Sequence, residues 1–165
     1  MPRPTPTVVE RPAQRYVAER ATVGIPDFPR IADRLPPLIG TLAARGVAPA
    51  GAPFFRYRVL HPGPRFTVEA GVPIDGDHTP DEPAFLGELP AGRYVLDTYV
   101  GAPDGLAAAT EAVLAWGAAE GLKWDRTDGP DGEEWGCRLE VLRSDPRAVP
   151  DPAQWVTDLL FRLEG

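Results

Sequence analysis

The feature that most constrains the fold is an order of predicted elements that occurs twice along the 165 residues. In each half an extended segment leads into a helix, and a pair of strands follows the helix. Apolar residues at helical spacing predict both helices, which end at Gly46 and Gly121, where glycine can stop a helix. Helices combined with paired strands, used twice, predict an α+β domain.

The bounds of these elements follow from apolar periodicity and turn signals. Asp27 and Asp104 are predicted to cap the two helices, and Pro36-Pro37 either kinks the first helix or divides it in two. An extended arm is predicted over residues 7–23, and loops over residues 75–82 and 124–133. The predicted strands cover residues 54–60, 66–74, 93–100, 135–144 and 155–163.

The two halves also match residue by residue at one common offset. The matches are Arg56 with Arg138, Val59 with Val141, and Leu60 with Leu142. At this offset Glu140 falls opposite Arg58. A charged residue inside a strand needs a partner, a solvent-lined groove or a ligand, because burying a bare carboxylate is costly. Glu140 is therefore a candidate site residue where the halves meet.

Composition excludes several classes of function. The net charge of −7, without a Lys/Arg cluster along one helix, argues against nucleic acid as a partner and weakly favours cationic small molecules. A single cysteine, Cys137, excludes an internal disulfide and a cysteine metal cluster. His61 and His78 lie in proline-flanked loops without metal-ligand spacing. We expect no metal and no cofactor.

Membrane and targeting signals are missing from the sequence. No run approaches the ~18 apolar residues that a membrane span requires, and the first residues lack the apolar stretch of a signal peptide. We therefore expect no membrane partner and a cytoplasmic location.

A family resemblance rests on several short motifs that occur in order along nearly the whole chain. The motifs are Val68-Glu69-Ala70-Gly71-Val72-Pro73, Leu89-Pro90-Ala91-Gly92-Arg93-Tyr94, Gly101, Leu139-Glu140-Val141, Asp145-Pro146 and the strand over residues 155–163. Together they resemble the GyrI-like small-molecule-binding domains. Such domains also serve as the effector-binding domains of AraC- and MerR-type drug regulators.

This resemblance implies two β-α-β-β repeats related by a pseudo-twofold axis, over about 7–85 and about 86–165. We expect an antiparallel sheet with two helices packed on one face and a ligand groove on the other. It also implies that Glu140 is the central acidic residue that meets cationic, aromatic ligands. Two positions depart from the family pattern: Leu142 stands where Tyr is frequent, and Gly101-Ala102-Pro103 replaces Gly-x-Tyr.

Strand alternation predicts how the site is built. It places Arg138, Glu140 and Leu142 on one face, while Cys137, Leu139 and Val141 are expected to pack on the helices. If the last hairpin pairs Glu140 with Asp158, two carboxylates share the groove. The alternative to a ligand-binding role is a structural one, in which Glu140 forms an ion pair with Arg138 or Arg58. The aromatic residues that could line the groove, or pack in the core, are Phe54, Tyr94, Tyr99, Trp124 and Trp135.

The sequence is compatible with three functions. The first is a stand-alone binder of cationic or aromatic amphipathic small molecules, as a monomer or weak homodimer. The second, which the resemblance brings in, is a hydrolase that opens strained, cyclopropane-type natural products with Glu140 as general base or acid. The third is an inhibitor that acts by protein contact, as some relatives act on DNA gyrase.

Overall fold

The computed structural model describes residues 5–165, in which ten strands form one sheet and three helices accompany it. The helices are α1 (Pro29–Ala32), α2 (Leu35–Ala44) and α3 (Leu106–Ala119). The strands are β1 (Thr7–Arg11), β2 (Gln14–Gly24), β3 (Phe54–His61), β4 (Arg65–Pro73), β5 (Phe85–Leu89), β6 (Gly92–Val100), β7 (Arg126–Gly129), β8 (Gly132–Trp135), β9 (Arg138–Leu142) and β10 (Val156–Arg162).

The central strand pair of the sheet joins the two halves of the chain. Eight strands follow the order β1-β6-β10-β9-β3-β4-β2-β5, and the β7–β8 hairpin attaches to β3. At the centre, Phe55 of β3 lies opposite Glu140 of β9, which in turn lies opposite Leu159 of β10. Each of these pairings is antiparallel, so the predicted α+β class with an antiparallel sheet is confirmed.

The first strand of each half pairs with the other half. β1 pairs with β6, which belongs to the second half, and β5 pairs with β2, which belongs to the first. No strand was expected over β5, and a loop was expected over residues 124–133, where β7 and β8 form a hairpin. β5 forms because β2 offers unpaired backbone groups, a tertiary effect that local propensity does not record. β7 and β8 pair with each other across the short turn between Gly129 and Gly132, and β8 also pairs with β3.

Helix breaks and stops follow the glycines and prolines. The first helical segment is divided into α1 and α2, with Pro36 and Pro37 in the first turn of α2, where proline is tolerated. Gly46 and Gly121 have φ of 72° and 73° directly after the helix ends, which confirms both predicted stops. The predicted aspartate caps are wrong, because short 3-10 turns precede both helical segments and no side chain caps them.

The helices α2 and α3 pack on the same face of the sheet, which we term the helix side. Leu38 of α2 packs with Phe55 of β3, and Val113 of α3 packs with Leu159 of β10. Since Phe55, Glu140 and Leu159 are direct cross-strand neighbours, their side chains project from one face. The prediction of two helices on one face is confirmed.

The opposite face, termed the far side, encloses a second core. Its buried members include Tyr16, Phe54 and Leu139. Val9 of β1 and Phe85 of β5, from opposite ends of the strand order, pack against the same cluster. The sheet therefore curls around its far side, and both of its faces are buried.

A charged network crosses this second core. Glu69 is fully buried and accepts a hydrogen bond from the Tyr16 hydroxyl, together with bonds of 3.0 and 2.7 Å from Nε and Nη2 of Arg20. Arg56, which is 5% exposed, donates to the Tyr16 hydroxyl at 2.9 Å and to the carbonyls of Glu88 and Gly136. Tyr16 thus links a buried carboxylate to a buried guanidinium.

Within residues 5–165, no helix combines the length and the apolar character needed to cross a membrane.

Candidate functional site

Glu140 lies on the strip of sheet that runs between the two helices. The helices α1 and α2 lie nearest to β2 and β4, and α3 lies nearest to β6. The strands β3, β9 and β10 lie between these positions, and β9 is the middle strand of the three. We term the helix-side surface of these three strands the interhelical strip. Glu140 is in its middle strand and is half-buried. The expectation that its face lies away from the helices is wrong, because Leu139 faces the far side instead.

The hydrogen-bond partner of Glu140 is a phenol. The Tyr57 hydroxyl donates to Glu140 Oε1 at 2.8 Å. Among residues 5–165, no arginine or lysine forms a salt bridge with Glu140 within 4.0 Å, so neither ion pair considered from the sequence forms. Arg58 instead reaches Glu69 at 3.9 Å, on the far side.

Arg138 shares the strip with Glu140 and is surrounded by aromatic rings. Its guanidinium carbon lies 4.9 Å from the ring centre of Phe161, 5.1 Å from that of Trp135 and 5.8 Å from that of Tyr57. Tyr57 also stacks on Phe28, with ring centres 6.3 Å apart. The strip therefore combines one carboxylate, one guanidinium and several ring faces.

Burial controls the protonation of this group of residues. It raises the pKa of Glu140 above its ordinary value of 4.5, against the Tyr57 hydrogen bond and the Arg138 charge, which lower it. Burial, with the nearby Glu140 charge, also raises the pKa of Tyr57 well above 10. Tyr57 therefore keeps its proton at neutral pH and acts as the donor to Glu140.

The raised pKa of Glu140 predicts a pH-dependent stability difference between the wild type and Glu140→Gln. Above the ordinary value of 4.5, the carboxylate is favoured in the unfolded chain and disfavoured in the folded one, so ionisation lowers wild-type stability. We expect Glu140→Gln to be the more stable protein at pH 8, with the difference shrinking as the pH falls towards 4. Urea unfolding at both pH values measures this, and an unchanged difference would contradict the assigned burial.

The hairpin register differs from the expected one. Asp158 lies opposite Val141, and Glu140 lies opposite Leu159, so the two carboxylates project from opposite faces. Asp158 accepts a hydrogen bond from the Thr98 hydroxyl at 2.8 Å and lies 3.5 Å from Nη1 of Arg143. The expectation that Asp158 shares a groove with Glu140 is therefore wrong.

The aromatic candidates are divided between the two faces. Trp135 and Tyr99 pack on the helix side with α3, as does Trp124. Leu142, two residues beyond Glu140, also faces the helix side, where it packs against the α2 core. Phe54 and Tyr94 belong to the far-side core and do not share a face with Glu140.

Phe54 and Tyr94 line a cavity of their own. It has a volume of ≈ 330 Å³ and opens between β1, β3, β9 and β10 on the far side. Its walls are mostly apolar, and Glu10, Arg11 and Gln14 are its polar members. Glu140 does not line this cavity, so the carboxylate and the cavity are two separate features.

Tyr57 contacts Glu140 but is not among the site residues expected from the sequence. The common offset matched Arg56 with Arg138, but Arg56 faces the far side and Arg138 faces the helix side. Phe55 lies opposite Glu140, so Phe55 and Tyr57, which alternate along β3, project from the same face as Glu140. A match between the halves that is shifted by one residue would have paired residues of the same face. The signal that could have found Tyr57 is its alternation with Phe55 in a strand whose intervening residue is charged.

No metal site supplements this chemistry in the part of the chain that is described. Residues 5–165 contain no group of three or more His, Cys, Asp or Glu side chains arranged to hold a metal ion.

Comparison with known proteins gives a family match over nearly the whole chain. A family model described as the GyrI-like small molecule binding domain matches residues 4–164. A search of curated protein sequences finds no match.

Solved structures share the fold at low identity. The C-terminal domain of EcmrR matches with a TM-score of 0.75 at 18% identity, covering 97% of each chain. In the EcmrR–DNA complex the TM-score is 0.78 at 17% identity, and the match covers 97% of this chain but only 57% of the EcmrR chain. SAV2435 bound to tetraphenylphosphonium has a TM-score of 0.66 at 10% identity, covering 98% of this chain and 94% of that one. A hydrolase from Listeria innocua has a TM-score of 0.64 at 14% identity, covering 99% and 94%.

Proposed function

This chain belongs to the GyrI-like small-molecule-binding domain family, and we propose that it binds aromatic amphipathic molecules with a cationic centre on the interhelical strip, where Glu140 meets the cation. The observation that carries the proposal is a half-buried carboxylate whose hydrogen bond comes from an uncharged phenol, Tyr57. A carboxylate raised in energy by burial is stabilised by any cation that reaches it. The further proposed contacts are Leu142 of the strip and Trp135 and Tyr99, which pack with α3 next to it.

The energetics favour a ligand that is both charged and aromatic. Opposite charges about 4 Å apart attract by about 4 kcal/mol at an effective dielectric constant of about 20, and removing both groups from water offsets most of this. A ring face adds about 0.5–2 kcal/mol for a nearby cation. The ring of Tyr57, whose hydroxyl donates to Glu140, lies beside the carboxylate. The tetraphenylphosphonium bound to SAV2435, a cation carrying aromatic rings, is of this chemical class.

Glu140→Gln is expected to weaken binding of a planar cationic dye by about ten-fold or more, which corresponds to about 1.4 kcal/mol. The substitution keeps the shape and the acceptor for Tyr57 but removes the charge. Binding of a neutral analogue with the same rings should change little. Tryptophan fluorescence titration measures both affinities, since the Trp135 ring lies against Arg138 of the strip.

Asp158→Asn is the matched control for this experiment. It also turns a carboxylate into an amide, but on the far side of the adjacent strand. We expect it to leave the affinity for the cationic dye within about two-fold of the wild type. Equal binding by Glu140→Gln and the wild type, or an equal loss in Asp158→Asn, would refute a specific role for Glu140.

A second candidate function is hydrolysis, favoured by the raised pKa of Glu140 and its bond to Tyr57. Glu140 would take a proton from water, whose oxygen attacks a strained ring carbon. The ring bond then breaks, and its released carbon takes up a proton. Glu140→Gln should abolish turnover of a strained cyclopropane substrate while it still binds a neutral ligand. Wild-type turnover no faster than the uncatalysed rate would eliminate this candidate. Inhibition of another protein by contact stays a prediction.

A further inference from the structure

The strip already contains a cation of its own, Arg138. Its guanidinium lies within 6 Å of three ring centres, those of Phe161, Trp135 and Tyr57. Because a guanidinium stays protonated at any working pH, this positive charge is permanent. The ring contacts hold it in place, since each contributes to the attraction and all three rings belong to the packed face of the sheet.

Arg138 and Glu140 form a fixed pair of opposite charges without touching as a salt bridge. They are two residues apart on one strand and project from the same face, so their Cα atoms are roughly 7 Å apart. Glu140 is held by the Tyr57 hydroxyl, and Arg138 is held by the rings. The two charges therefore lie side by side on the strip without neutralising each other through a direct salt bridge.

A ligand with a positive charge alone matches only one member of this pair. Its cation would be attracted to Glu140 but repelled by Arg138 over almost the same distance. A ligand that also carries an acidic group can direct that group to Arg138, with bidentate geometry available to a carboxylate. Both charged groups of the strip are then matched.

We propose that Arg138 determines ligand specificity, so that the strip selects aromatic zwitterions whose opposite charges are separated by roughly the spacing of the pair. This inference rests on the proposed function, because it assumes that the ligand's cation meets Glu140. The inference adds a second charged contact, Arg138, to the proposed function, and this contact defines the chemical class of the ligand.

Rhodamine B and its ethyl ester test the inference as a matched pair. At neutral pH the acid is a zwitterion and the ester is a cation, and both have the same coloured ring system. We expect the wild type to bind the acid more tightly than the ester. In Arg138→Met the ratio of the two affinities should fall by about ten-fold or more, because only the acid loses its partner. Fluorescence anisotropy titration with each dye measures the ratio.

Two further variants separate the possible failures. Arg138→Lys keeps the positive charge, so the logarithm of its acid-to-ester affinity ratio should stay above half of the wild-type value. Arg138→Gln replaces Arg138→Met if the latter protein fails to fold. Arg143→Met, which removes a half-exposed arginine paired with Asp158 on the far side, should leave the ratio unchanged.

An acid-to-ester ratio in Arg138→Met within two-fold of the wild type overturns the inference. If Glu140→Gln still weakens both dyes in that case, the proposed function stands and only the role of Arg138 fails. If neither dye binds the wild type saturably, both proposals fail.

Discussion

Glu69→Gln is expected to lower the free energy of unfolding by about 3–5 kcal/mol, the range measured when one member of a buried ion pair is removed. Glu69 is fully buried on the far side and is the carboxylate that balances Arg20 and Arg56 there. Without it the guanidinium of Arg56, only 5% exposed, lacks a buried counter-charge. Tyr16 relays the interaction, since it donates to Glu69 and accepts from Arg56.

Equilibrium unfolding in urea measures this change, and Glu19→Gln is the matched control. Glu19 also pairs with an arginine, Arg34, at 3.0 Å, but Arg34 is 45% exposed and solvent screens the pair. We expect the control to cost far less than Glu69→Gln. Similar losses in the two variants would show that burial does not make the Glu69 network important.

Gly132→Ala is expected to destabilise the protein by about 2–4 kcal/mol through backbone strain and overpacking. Gly132 begins β8 with φ of 141°, a conformation that L side chains rarely adopt. A Cβ at this position would lie 2.2 Å from the carbonyl oxygen of Leu60, a backbone atom of the neighbouring strand. The substitution should therefore separate β8 from β3, where Glu133 pairs with Leu60.

Gly40→Ala is the same substitution at a position where it should help. Gly40 lies inside α2, and a Cβ there meets no heavy atom within 4 Å. We expect a gain of about 0.5–1 kcal/mol, because alanine loses less backbone entropy on helix formation. Thermal unfolding of both variants gives the comparison. A Gly132→Ala protein as stable as the wild type would mean that β8 is not held against β3 in this geometry.

Much of the fold was predictable because it follows from local rules. The apolar period of residues 106–119 predicts α3, and Gly46 and Gly121 mark the helix ends that the structure shows. The α+β class and the family also follow from the sequence. The aspartate caps failed because short 3-10 turns precede the helical segments, a local alternative that the presence of Asp27 and Asp104 does not exclude.

The candidate site was predictable only in part. Glu140 stands out as a charge within an apolar strand, but its partner does not, because Tyr57 is 83 residues away and reaches it only through the pairing of β3 with β9. Asp158 was assigned to the wrong face by one residue of register. A shift of one residue in a strand moves every side chain to the other face, and the long loop between β9 and β10 leaves that register open.

The alternation along β9 follows from its residues alone: Arg138, Glu140 and Leu142 share one face, and Leu139 and Val141 share the other. Which of these faces the helices cover depends on how the whole sheet folds. An apolar face normally packs on helices, but here the sheet curls and encloses a second core, so the apolar face of β9 is buried without them. The face with the charges was thereby left on the strip between the helices, where Glu140 meets Tyr57 and Arg138 meets the rings.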